Sequence, residues 1–244
     1  MRVLSIVIHD NAGAGVFGGV PGVEYVEWVP PENATAPELD RFDALMAFGG
    51  SMHVDQEEKH PWLRAEKALL REALDRGTPV LGVCLGAQLL AEVTGARPHR
   101  AATPEIGWFR VDVTDEGRDD PLIGPLAPQF EVMQWHAYES PLPPGATALA
   151  RNSACLQAFR MDGRPAWGFQ FHAEVTAADA DAWLDEFYDD YDAVATGLDP
   201  DVIRAETAKR IGAQNELGRG LAERFVAAAR GSYGRARQAG PRSA

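Results

Sequence analysis

Cysteine is scarce in this chain: only Cys84 and Cys155 occur in 244 residues. Two thiols cannot build a disulfide framework, so a reducing compartment, the cytoplasm, is the expectation. Positive charge is also short. Twenty-three Lys and Arg stand against 36 Asp and Glu, a formal net charge of −13, whereas a surface that tracks phosphates needs a basic patch, so nucleic acid is not expected as a partner. No run approaches the ~18 continuous apolar residues that span a bilayer, and no membrane association is expected. The opening Val3-Leu4-Ser5-Ile6-Val7-Ile8 is too short for a signal core and runs into His9-Asp10, so it reads as a first strand. Internal repeats are absent.

Against these absences stands one informative stretch, Gly82-Val83-Cys84-Leu85-Gly86-Ala87-Gln88. A cysteine lies between glycines two positions to either side, where an apolar run gives way to helix-forming residues. The glycines let a strand hand directly to a helix with the thiol at the apex of the turn. There the thiol meets the unpaired N–H groups of the helix start, whose partial positive charge favours a thiolate and can hold a developing oxyanion. The strand reads Thr78 to Val83 and the helix Leu85 to Val93, stopping at Thr94-Gly95. Cys155, in the apolar run Ala154 to Phe159, reads as a packed structural thiol.

A thiolate alone cannot protonate a leaving amine, so a general acid and an orienting group are needed. Two strand-like segments end in histidine, 130–136 and 166–172. In the second, His172 is followed two residues on by Glu174, which points to the same side if extended geometry persists. That carboxylate can fix the imidazole tautomer and leave the other ring nitrogen to face Cys84, giving a Cys84-His172-Glu174 triad.

The pattern elsewhere alternates. Strands around 23–29 and 44–48, an amphipathic helix at 62–76 and the elbow pair predict an α/β fold with an open, mostly parallel sheet flanked by helices. The second half, from 106, is rich in strands. Beyond Gly197, Asp199-Pro200-Asp201 starts a helix, with Ile203, Thr207, Ile211, Leu217, Leu221 and Phe225 at helical spacing and Gly212, Gly218 and Gly220 weakening its continuity. This divides the chain into a domain over 1–195, a C-terminal helical extension over 196–230 and a disordered basic tail over 231–244.

Three separated motifs, Phe48-Gly49-Gly50-Ser51, Gly82 to Gln88 and Gly168 to Glu174, resemble those of class I glutamine amidotransferases over about residues 1–190. Pro104-Glu105-Ile106-Gly107-Trp108 and Gln134-Trp135-His136 add a likeness to stand-alone domains similar to the glutaminase part of GMP synthase. The resemblance implies the flavodoxin-like three-layer amidotransferase fold and a Cys-His-Glu triad. It implies an oxyanion hole from the amides of Gly50 and Leu85, where one such donor is worth about 3 to 4 kcal/mol. It further implies substrate contacts from Gly49, Gln88, Trp135 and His136. Two positions depart from the family pattern: Ala173 stands where proline is usual between His and Glu, and Ala137 where glycine usually follows Trp-His.

The function expected is hydrolysis of the side-chain amide of glutamine through a γ-glutamyl thioester. The ammonia would pass to a separate synthetase chain, because the C-terminal extension is too short for an ATP-dependent domain. A γ-glutamyl peptide or amide hydrolase with the same triad is an alternative, as is a non-catalytic regulatory or binding subunit of the same fold. No cofactor is expected. Nor is a metal: His53, Asp55 and His60 of the polar loop 52–60 lack tight ligand spacing, and the His-x-Glu of 172–174 lacks the Pro-Cys-x-x-Cys of a zinc deaminase.

Overall fold

The structure, a computed structural model, describes residues 1–9 and 11–239, with 232–239 by backbone alone. Nine strands form one sheet, β1 Arg2–Ile6, β2 Glu24–Trp28, β3 Ala44–Ala47, β4 Val80–Val83, β5 His99–Val113, β6 Gln129–Glu139, β7 Ala146–Arg151, β8 Leu156–Met161 and β9 Ala166–Phe169. Their order is β2-β1-β3-β4-β9-β8-β7-β5-β6. The strands from β2 to β9 pair in parallel, and those from β9 to β6 pair antiparallel. The sheet is therefore mixed, not mostly parallel as the sequence pattern predicts. The reason is topological: the second half has no helices between its strands, so short connections return them antiparallel.

The parallel half alternates as a sheet covered on both faces must. Leu4, Ile6, Leu45, Ala47 and Val80 pack towards helices α1 (Leu63–Arg76) and α2 (Leu85–Val93). Val3, Ala44, Met46, Leu81 and Val83 pack towards Leu221, Ala222 and Phe225 of the C-terminal helix. Burying each of these large side chains contributes about 1.5 to 3 kcal/mol. Helix α1 ends at Gly77, whose φ of 69° lets its N–H return to Ala73 and Leu74 carbonyls.

Three further helices follow β9: α3 Ala177–Asp185, α4 Tyr191–Ala195 and α5 Pro200–Ala239. Helix α3 opens on a reciprocal cap in which the Thr176 side chain accepts from Asp179 N–H and the Asp179 carboxylate accepts from Thr176 N–H. Helix α5 runs unbroken through Gly212, Gly218 and Gly220, and past Gly231, where the sequence places the start of a disordered tail. A glycine costs a helix only about 1 kcal/mol relative to alanine, and here good helix formers flank each one. Residues 240–244 of that tail lie outside the described residues. No helix among the described residues is long and apolar enough to cross a membrane.

Candidate active site

The change of sense at β9 builds the site. Strands β4 and β9 are neighbours in register, with Val83 opposite Phe169, so the residues leaving their carboxyl ends emerge side by side. Cys84 follows at once and its N–H donates to the Phe169 carbonyl at 2.8 Å. His172 lies three residues past that register pair and bridges to Met133 of β6, its N–H donating to the Met133 carbonyl at 2.9 Å.

Cys84 occupies φ 51° and ψ −110°, and is the one non-glycine residue with positive φ among the described residues. Such a conformation costs an ordinary side chain about 1 to 3 kcal/mol. The flanking glycines are required by space. A Cβ on Gly82 would lie 2.6 Å from the Gly86 carbonyl oxygen, and one on Gly86 would overlap the Ala47 carbonyl. The turn therefore closes as the sequence predicts, with the thiol at the start of α2.

Around the thiol the side chains converge. A Cβ placed on Gly49 would sit 3.0 Å from His172 Cε1, 3.5 Å from Cys84 Cβ and 3.9 Å from Cys84 Sγ, so backbone, imidazole and sulfur share one small volume. His172 Nδ1 lies 2.7 Å from Glu174 Oε1, and both side chains are buried. Burial opposes a charged ring at His172, but the Glu174 carboxylate and the Cys84 sulfur outweigh it and raise the pKa to about 10. His172 Nε2 has no hydrogen-bond partner among the described residues. The thiol donates to the Trp135 carbonyl at 3.8 Å. Gly50 follows Gly49 and packs against Met52 and Ile8, while Leu85 opens α2, where backbone N–H groups have no intrahelical acceptor.

Gln88 is buried one turn past the thiol, and its Nε2 donates to the Tyr138 carbonyl and to Gln170 Oε1, each at 3.1 Å. Trp135 and His136, grouped as substrate contacts on sequence, part company because successive strand residues leave opposite faces. The Trp135 ring meets Trp183 edge to face at 5.7 Å, and Trp183 meets the His172 ring at 4.8 Å. His136 instead turns into a buried group with Glu105 and Cys155, its Nε2 3.2 Å from Glu105 Oε2.

That second group has ligand-type atoms within 4.8 Å of one another. Its polar atoms are committed elsewhere. Gln157 Nε2 lies 2.9 Å from Glu105 Oε2 and 3.2 Å from Cys155 Sγ, so an amide donor already fills the place between oxygen and sulfur that a cation would take. The polar loop shows no ligand cluster either, since His53 stacks on Tyr138 and His60 leans on Trp62.

Three residues at the site escaped the sequence reading. Trp183 on α3 walls the His172 ring, Asp190 accepts from Trp135 Nε1 at 2.9 Å, and Gln170 accepts from Gln88. The Thr176-x-x-Asp179 cap signal marks α3 in the sequence and would have exposed Trp183 as part of a helix facing the strand ends.

Comparison with known proteins agrees with this geometry. The glutamine amidotransferase class-I family model matches residues 22–190. The chain belongs to that family. It is 34% identical over 184 residues to the glutamine amidotransferase-like protein YfeJ of Salmonella typhimurium, covering 72% of this chain and 77% of that protein. It is 32% identical over 152 residues to a subunit of the glutamine-hydrolysing GMP synthase of Saccharolobus solfataricus, covering 62% of this chain and 76% of that relative. A glutamine amidotransferase structure from Thermotoga maritima superposes with a TM-score of 0.83 at 28% identity, over 93% of this chain and 98% of that one.

Proposed function

We propose that this amidotransferase hydrolyses the side-chain amide of glutamine through Cys84, His172 and Glu174. The observation that carries the reading is the shared volume at Gly49, where sulfur and imidazole meet with Glu174 behind the ring. Sulfur attacks the amide carbon, and the C–N bond breaks as His172 Nε2–H gives its proton to the departing nitrogen, releasing ammonia and leaving a γ-glutamyl thioester. Neutral His172 then takes a proton from water, the resulting hydroxide attacks the thioester carbon, and glutamate leaves as the thiolate is restored. Through both steps Glu174 accepts from Nδ1–H and holds the ring in one tautomer. The amides of Gly50 and Leu85 hold the oxyanion. Gly49 and Gln88 border the bound glutamine, and Trp135 contributes its carbonyl and the wall it forms with Trp183.

The ammonia passes to a separate synthetase chain; kinship with a stand-alone subunit of GMP synthase supports that arrangement. The decisive assay measures ammonia and glutamate from glutamine, with γ-glutamyl dipeptides in parallel. Equimolar ammonia and glutamate are expected from glutamine, at a rate above that from the dipeptides. Release from the dipeptides alone would overturn glutamine as the substrate while leaving the triad intact.

A further inference from the structure

The backbone that carries His172 and Glu174 has left the sheet. Strand β9 ends at Phe169, and beyond it only the bridge to Met133 ties His172 to a neighbouring strand. Position 173 is alanine, whose φ no ring restrains, so the conformation of this segment has to come from tertiary contacts.

Those contacts come largely from one stretch of α5. Met133 accepts from His172 N–H, and its own N–H donates to Gln214 Oε1 at 2.7 Å. Asn215 Nδ2 donates to the Val175 carbonyl at 2.8 Å. Between these two, α5 lies so close that a Cβ on Gly218 would overlap the Ala173 carbonyl. The remaining carbonyl, that of Glu174, accepts from Val16 N–H at 2.8 Å, and Val16 Cγ2 also lies 2.8 Å from the place a Gly218 Cβ would take. Residues 214, 215 and 218 lie on one helical face.

Packing alone does not call for this chemistry. Gln214 is 2% exposed and its Nε2 has no partner among the described residues, a cost that a leucine in the same place would avoid. The matched family region ends at residue 190, so α5 lies outside it.

We infer that Gln214, Asn215 and Gly218 are positioning residues, which fix the backbone from His172 to Val175 and so the aim of the imidazole at the Cys84 sulfur. The inference rests on the glutaminase reading for its kinetic test only. Misplacing a reacting group by 1 Å costs about 100-fold in rate, whereas substrate contacts on the Gly49 side stay as they are.

The test uses the full chain with Gln214→Leu, Asn215→Asp and Gly218→Ala. Asn215→Asp keeps the shape and removes the donor. The expected result is a fall in kcat of about 10-fold for the first two and about 100-fold for Gly218→Ala, with KM for glutamine within about threefold. The His172 ring, followed by NMR in histidine-labelled protein, should titrate at lower pH in each variant, because a carboxylate held less closely favours the charged ring less. If Gly218→Ala fails to fold, the other two decide. Folded Gln214→Leu and Asn215→Asp with wild-type kcat and an unmoved His172 titration would overturn the inference. Should the wild-type protein prove inactive on glutamine, the functional reading fails separately, and the His172 titration alone decides the positioning role.

Discussion

This chain holds two buried groups of the same three residue types, Cys84-His172-Glu174 at the strand ends and Cys155-His136-Glu105 in the antiparallel half. In the first, the carboxylate lies against the histidine and the sulfur is left to face the ring. In the second, Cys155 Sγ donates to Glu105 Oε2 at 3.4 Å, while Asn152 and Gln157 also donate to that carboxylate. Burial and then the Glu105 charge push the Cys155 thiol well above its ordinary range, which suppresses its nucleophilic form. The backbone differs as well, since positive φ occurs at Cys84 and at no other non-glycine residue described. Residue type is therefore not what separates a candidate nucleophile from a structural thiol; what separates them is which neighbour the carboxylate holds.

The sharpest way to break the comparison is to remove each sulfur in turn. Cys84→Ala should lower glutamine hydrolysis by at least ~10⁴-fold, as loss of a nucleophile does in a triad hydrolase. Cys155→Ala should leave kcat within about threefold and cost about 1 kcal/mol, because it removes one weak donor from a satisfied network. Iodoacetamide with peptide mapping supplies a second measure: modification should fall on Cys84 and spare Cys155. Equal losses of activity from the two alanine variants would erase the distinction.

Exchanging the carboxylates tests the same contrast more gently. Glu174→Gln should cut kcat by about 10² to 10⁴-fold and also move the pH profile. In the wild-type protein the His172 pKa is raised above 6.5, so the imidazolium persists as pH climbs and is lost only near pH 10. Without the Glu174 charge, burial pulls that pKa down, and the alkaline limb of kcat/KM should move to lower pH by a unit or more. The linked stability contribution of the wild-type ring is fully present below pH 6.5 and is lost as pH rises through the folded value. Glu105→Gln should leave the pH profile of kcat/KM unchanged. Despite burial, the hydrogen bonds and charge of His136, with further bonds from Asn152 and Cys155, hold the Glu105 pKa below 4.5. Its stability contribution is therefore present above pH 4.5 and lost as pH falls through the folded value, and this acid-side dependence of Tm should vanish in the variant.

The first group was legible in the sequence because local rules write most of it. Gly82 and Gly86 announce the turn, the 2-residue spacing of His172 and Glu174 announces their contact, and the parallel strands alternate as buried strands do. The second group was not legible. Glu105, His136 and Cys155 lie on three different segments, and only the register of β5 against β6, with Glu105 opposite His136, brings two of them together. Register across antiparallel strands depends on tertiary packing and turn geometry, which no single segment states. The mixed sheet escaped for the same reason. The continuity of α5 was obscured by its glycines, whose local cost is repaid where Gly218 lets the helix reach the Ala173 carbonyl.

The smallest effect probes the backbone itself. Between Ala and Gly at a fixed position, alanine normally gives the more stable protein, because glycine loses more conformational freedom on folding. At φ 51° and ψ −110° the order should invert, since a Cβ is strained there and glycine is not. Cys84→Gly should therefore be more stable than Cys84→Ala by about 1 kcal/mol, read as a higher midpoint in urea, with both variants inactive. The same pair at position 155, where φ is not positive, should keep the ordinary order with alanine ahead. Should both positions favour alanine, position 84 carries no strain, and the difference between the two cysteines reduces to the partners of their carboxylates alone.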